Sequence, residues 1–141
     1  RELDPSKSDP EPLVAPLGPS EKIVTTKQRL HQVFFRDAVM SSYNGRCCVT
    51  GLPIIECLVA GHIIPWSADE HRRADPTNGL CMSATYDRLF DSGLMTVEDD
   101  LTICISRRLR ALKDQTVVDL VAPRHGQKIT PPVRFSPIRL V

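Results

Sequence analysis

An α+β fold is predicted by three observations. Two short β-prone runs, Arg46 to Thr50 and Cys57 to Ile64, flank Gly51-Leu52-Pro53 and read as paired strands. A polar stretch from Ser67 to Asn78 follows without periodicity, and Leu80 to Asp91 then reads as a helix stopped by Ser92-Gly93. The order strand, strand, irregular loop, helix is a ββα unit, with a helix expected before it and a further hairpin after it.

Each flanking element has its own signal. Residues 1–24 hold five of the twelve prolines among Asp, Glu and Ser, a composition that favours an extended linker over a core. A helix is expected from Thr25 to Tyr43, since Leu30, Val33, Phe34 and Ala38 recur at helical spacing and Asn44-Gly45 supplies a stop. Asp75-Pro76-Thr77-Asn78-Gly79 is dense in turn formers. Leu94 to Val97 and Leu101 to Ser106 flank Glu98-Asp99-Asp100 as an extra β-hairpin. The tail from Ala122 is Pro-rich and weakly patterned. The expected division is a linker over 1–24, one domain over 25–121 with its core motif at 47–106, and an extension over 122–141 that continues past Val141.

Composition narrows the function classes. With 41% hydrophobic residues in 141, the chain can bury one core. Its 18 basic and 17 acidic residues nearly cancel, so any attraction to phosphate must be local. No apolar run reaches membrane-spanning length, and Arg-Glu-Leu-Asp-Pro at the start is no signal peptide. The cysteines Cys47, Cys48, Cys57, Cys81 and Cys104 lack Cys-x-x-Cys spacing, so a structural zinc is not expected and each reads as a small buried hydrophobe. Unpaired thiols fit the reducing cytoplasm.

The densest local pattern is Ala60-Gly61-His62-Ile63-Ile64-Pro65-Trp66, then Asn78-Gly79-Leu80, then Tyr86-Asp87-Arg88-Leu89-Phe90-Asp91, preceded by Cys47-Cys48-Val49-Thr50-Gly51. In these residues the chain resembles the HNH (ββα-metal) endonuclease superfamily, in the branch found at the C-terminus of bacterial restriction endonucleases. That branch reads Cys-x-x-Thr-Gly, His-Ile-x-Pro-Trp, Asn-Gly-Leu and His-Asp-x-x-Phe-Asp-x-Gly. Gln32, Phe35, Arg36 and Tyr43 match its lead-in helix. The likeness spans roughly residues 29–106 and departs at Tyr86, which stands where the branch has its last His.

The resemblance implies a metal-dependent DNA endonuclease, and the chemistry explains the residue types. Phosphodiester hydrolysis needs a base to deprotonate water and a cation to stabilise the phosphorus centre and the leaving 3′ oxygen. His62 is the expected base, since imidazole titrates near neutral pH; without its motif it would read as a core histidine. Asn78 is expected to orient the loop or the imidazole, which is compatible with a plain turn role. Asp87 and Asp91 lie four apart, so on a helix they share a face and repel by ~0.2–0.5 kcal/mol unless a cation intervenes. They are the expected ligands of Mg²⁺ or Mn²⁺, against a reading as solvated acids. Tyr86 either puts its phenol at the site in place of the imidazole, weakening activity, or packs with Met82, Leu89 and Phe90. Gly61 supplies no ligand where many superfamily members have one.

For DNA contact, Arg72 and Arg73 fall between His62 and Asn78, and Arg107, Arg108 and Arg110 form a run free of acids; each set is otherwise a solvated face. Double-stranded DNA is the implied partner, a homodimer would let one small site cut both strands, and recognition is expected of an N-terminal domain preceding Arg1. The second reading, from a different class, is a catalytically silent module that binds DNA or a protein; Tyr86 and Gly61 motivate it.

Overall fold

The computed structural model describes residues 19–65 and 73–138. Its first helix, α1, runs from Pro19 to Ser42 and so begins earlier than Thr25. A proline is tolerated at the first helical position because the N–H it lacks has no intrahelical partner there. The helix ends where expected, with the Gly45 N–H folding back to the Met40 carbonyl at 2.9 Å. Its buried face is not the one the spacing suggested. Leu30, Val33 and Phe34 are exposed, whereas Phe35, Val39, Met40 and Tyr43 face the core.

The strand pairing also differs from expectation. Residues 46–50 form a turn instead of a strand, closed by the Gly51 N–H on the Cys47 carbonyl at 2.8 Å. The strand β1, Leu58–His62, pairs antiparallel with β2, Gly79–Ser83, from Leu58 opposite Ser83 to His62 opposite Gly79. Residues 80–83, which read as the start of a helix, lie in β2 instead. Leu80, Cys81 and Met82 are consecutive and all buried, because β2 lies between α1 on one side and α2, Ala84–Asp91, on the other. A strand covered on both faces loses the alternation that marks strands, and a short apolar run then looks helical.

Gly79 shows how closely α1 approaches. A Cβ there would collide with Val39 Cγ2 and crowd the Phe35 ring. This contact brings Phe35 to the end of β1, where His62 lies. Ser92 and Gly93 end α2, and the expected hairpin follows as β3, Met95–Val97, antiparallel to β4, Ile103–Ile105.

Two short helices went unforeseen: α3, Arg107–Arg110, capped by the Ser106 hydroxyl, and α4, Gln115–Leu120, capped by the Asp114 carboxylate. The tail is better ordered than its composition suggested. Ile129 is buried, and the Thr130, Val133 and Ile138 N–H groups bond to the carbonyls of Cys48, Ser42 and Thr77. Residues 122–138 therefore wrap the body instead of trailing from it. Cys47, Cys48 and Cys81 are buried free thiols, Cys104 is half-buried and Cys57 is exposed. Among the described residues no helix is long and apolar enough to cross a membrane.

Candidate functional site

The last residue of β1 and one face of α2 enclose a cleft of about 530 Å³ lined by Gly61, His62, Pro65, Asp87, Phe90 and Asp91. The ββ pair sets this geometry: α2 leaves β2 after Ser83, opposite Leu58 at the start of β1, and a strand-end imidazole at the other end of β1 shares the cleft with the carboxylates of α2.

Two contacts fix the imidazole. Its ring stacks on Phe35 with centroids 4.0 Å apart and planes within 7°. Its Nε2 lies 3.0 Å from the Arg73 carbonyl oxygen. A carbonyl can only accept, so Nε2 carries a hydrogen, and in the neutral ring Nδ1 is then the basic nitrogen.

Asn78 is buried at the end of the short 3-10 turn Pro76–Asn78, which Asp75 caps by accepting from the Thr77 N–H at 2.9 Å. Its Oδ1 accepts from the Ile64 N–H at 2.7 Å and its Nδ2 donates to the Ile64 carbonyl at 3.1 Å. Its own carbonyl accepts from the Ile63 N–H at 2.9 Å. One side chain thus holds both polar groups of a residue two beyond His62 and sets the path of the chain leaving β1.

Asp87 stands against β1 in an unusual setting. Its Oδ1 is buried and has no hydrogen-bond partner. A Cβ at position 61 would collide with that same oxygen, so glycine is what admits the carboxylate. Burial pushes the Asp87 carboxyl above its ordinary range, the neighbouring Asp91 adds to the rise, and His62 opposes it. An ionised oxygen left without a donor is costly, and a cation would offset that cost. Asp91 lies one helical turn on and lines the same cleft.

The donor set is small. Among the described residues, no three of His, Cys, Asp and Glu converge as a closed metal cage. An open site with one or two carboxylates, completed by water and phosphate oxygens, is how Mg²⁺ is commonly held. The buried orphan oxygen of Asp87 fits such a cation.

Tyr86 is elsewhere. It is buried, lies outside the cleft lining, and its hydroxyl donates to the Leu120 carbonyl at 2.5 Å, tying α2 to α4. Helix geometry turns Tyr86 to the core, one of the two placements expected for it, and Asp87, the next residue, to the cleft. Of the arginines, Arg72 lies outside the described residues. Arg73 contributes its backbone carbonyl to His62, Arg107 and Arg108 are exposed on α3, and Arg110 Nε donates to the Ile105 carbonyl at 3.0 Å. None of the side chains of Arg73, Arg107, Arg108 and Arg110 lines the cleft.

Sequence reasoning gave no site role to Phe35 or to Gly61. Phe35 is a plain apolar residue in its helix, and only the stack on His62 gives it a task. Gly61 supplies no ligand, and its function in the fold is to make room for Asp87.

No match was found among curated proteins. A family model described as HNH endonuclease matches residues 47–98, the segment that holds His62, Asn78, Asp87 and Asp91. Over that segment, whose mixed helix and paired-strand architecture is consistent with a ββα-metal fold, the chain carries an HNH domain.

Proposed function

We propose that the chain is a divalent-metal-dependent endonuclease that hydrolyses phosphodiester bonds in double-stranded DNA, as the cleavage part of a restriction-type enzyme. The observation that carries this reading is the pairing of His62 with the buried, unpartnered Oδ1 of Asp87 across one cleft in an HNH segment.

In this reading His62 Nδ1 takes a proton from the attacking water. The Arg73 carbonyl holds the ring in the tautomer that leaves Nδ1 basic, and the Phe35 face limits its tilt. Asn78 positions the backbone just after His62, so the ring and the carboxylates keep their separation. Asp87, with Asp91, would hold Mg²⁺ or Mn²⁺, which supplies polarisation of a phosphoryl oxygen and charge neutralisation at the departing 3′ oxygen. Asp87 must be ionised to do so, and a cation lowers the pH at which that happens. Arg72, Arg73, Arg107, Arg108 and Arg110 are proposed backbone contacts, a homodimer the means of cutting both strands, and the cytoplasm its compartment.

The second reading is a silent HNH module that binds DNA or a protein, and the small donor set favours it. Nicking of supercoiled plasmid in Mg²⁺ or Mn²⁺ decides between the two. Cleavage by the unaltered chain and its loss in His62→Ala supports the enzyme; DNA binding with intact plasmid under both metals supports the silent module.

A further inference from the structure

A second cavity of about 350 Å³ adjoins the cleft, lined by Gln32, Phe35, Arg36, Val59, Ala60 and His62. It shares Val59, Ala60 and His62 with the first, so the two form one groove along β1 with the imidazole at its middle. Within its sheet β1 pairs only with β2, so its other edge faces this groove among the described residues.

The far end of the groove is basic and polar. Gln32 and Arg36 are four apart on α1 and so share a face, with Phe35 beside them in stacking contact with His62. Arg36 is exposed, and its Nη1 is anchored on the Leu58 carbonyl at 3.2 Å. A guanidinium carries five donors in a planar fork, so one anchored nitrogen is compatible with a grip on a phosphate by the others. The anchor also removes much of the rotamer freedom that binding would otherwise have to freeze. A strand whose scissile phosphate lies at His62 and Asp87 continues in one direction along this groove onto Arg36.

We propose that Arg36, with Gln32, forms a phosphate subsite on α1 for the nucleotide next to the one cleaved. This rests on reading the cleft as a phosphodiester site. The competing account is that Arg36 only straps α1 to β1.

The test uses the full chain and a fluorescently labelled DNA duplex, with anisotropy titrations in EDTA at several salt concentrations. Losing one phosphate contact lowers the slope of log affinity against log salt by about 0.9, which makes the fall in affinity from about 50 to about 200 mM salt roughly threefold shallower. Arg36→Gln is expected to give that change and Arg36→Lys to retain most of the slope. Gln32→Lys, at an exposed position, is expected to steepen it and decides the matter if Arg36→Gln misfolds by circular dichroism. Unchanged slopes in Arg36→Gln and Gln32→Lys overturn the subsite, and so does a wild-type chain without measurable DNA affinity. Plasmid cleavage is read separately: a wild-type chain that binds without cutting defeats the enzyme reading while the slope result still decides the subsite.

Discussion

The Asp87 carboxylate occupies the space that a side chain at Gly61 would need, so the residue just before the candidate base and the first candidate ligand exclude one another sterically. Gly61→Ala forces a movement, and the least costly one is rotation of the Asp87 carboxylate, since the colliding atom ends a short side chain while Asp87 Cγ at 3.5 Å and Met82 Cε at 3.6 Å are at ordinary contact distances. The expected outcome is a folded protein whose urea midpoint changes little, with cleavage down at least tenfold and a weaker Mn²⁺ titration by electron paramagnetic resonance. A large loss of stability with unchanged Mn²⁺ affinity would place the role of Gly61 in packing alone.

Asp87→Asn separates binding from folding. The carboxyl is raised above its ordinary range chiefly by burial and secondly by Asp91, so the fold favours the protonated form. Without added metal, stability should then fall as pH rises from the ordinary carboxylate range through the raised value and remain lower above it. Asn removes that slope, so the variant should melt higher than the wild type at neutral pH in EDTA. It should also lose the rise in Tm that Mg²⁺ gives the wild type. If the cation supplies several kcal/mol at the transition state, cleavage falls by about 100-fold or more. A wild type whose Tm is indifferent to Mg²⁺ and Mn²⁺ would remove Asp87 from the ligand set.

These two residues also show where sequence legibility ended. The motif order, the stop at Asn44-Gly45, the turn at Asp75 to Gly79 and the later hairpin were readable because each depends on local chemistry. The face of α2 was not. Tyr86 and Asp87 are neighbours on α2, and spacing alone does not say which of the two faces the cleft; adjacent helical positions differ by about 100°. Contact with β1 decides it, through Gly61. The same holds for β2, whose burial on both sides erased its alternation, and for Phe35, whose stack on His62 depends on how closely α1 packs at Gly79.

Asn78→Ala should cost both stability and activity. It strands the Ile64 N–H and carbonyl, which are half-buried, for about 1–3 kcal/mol by urea denaturation. Because Ile64 follows His62 so closely, cleavage per folded molecule should also fall at least tenfold. Asn78→Asp keeps an acceptor for the Ile64 N–H but sets a carboxylate against the Ile64 carbonyl, so it should be no better. A stability loss with full specific activity would leave Asn78 a turn residue.

Tyr86→Phe distinguishes the two roles weighed for that position. The hydroxyl's bond to the Leu120 carbonyl joins α2 to α4, and its removal should cost about 0.5–1.5 kcal/mol while the ring stays packed. Cleavage rate and metal dependence should be unchanged, since the phenol lies outside the cleft. A tenfold fall in rate without loss of stability would return Tyr86 to the site.

Phe35→Leu tests whether ring orientation at His62 matters apart from packing. Leucine keeps an apolar group against Gly79 but loses the parallel face 4.0 Å from the imidazole, a contact worth about 0.5–1.5 kcal/mol. The Nε2 hydrogen bond to Arg73 remains, so the ring can still pivot about it. A freer ring spends less time aimed at the water, so kcat should fall several-fold at unchanged KM. Phe35→Tyr or Phe35→Trp, which keep an aromatic face, should recover part of that loss if they fold. If Phe35→Leu and Phe35→Tyr are equally impaired in proportion to their lost stability, Phe35 serves the core and not the base.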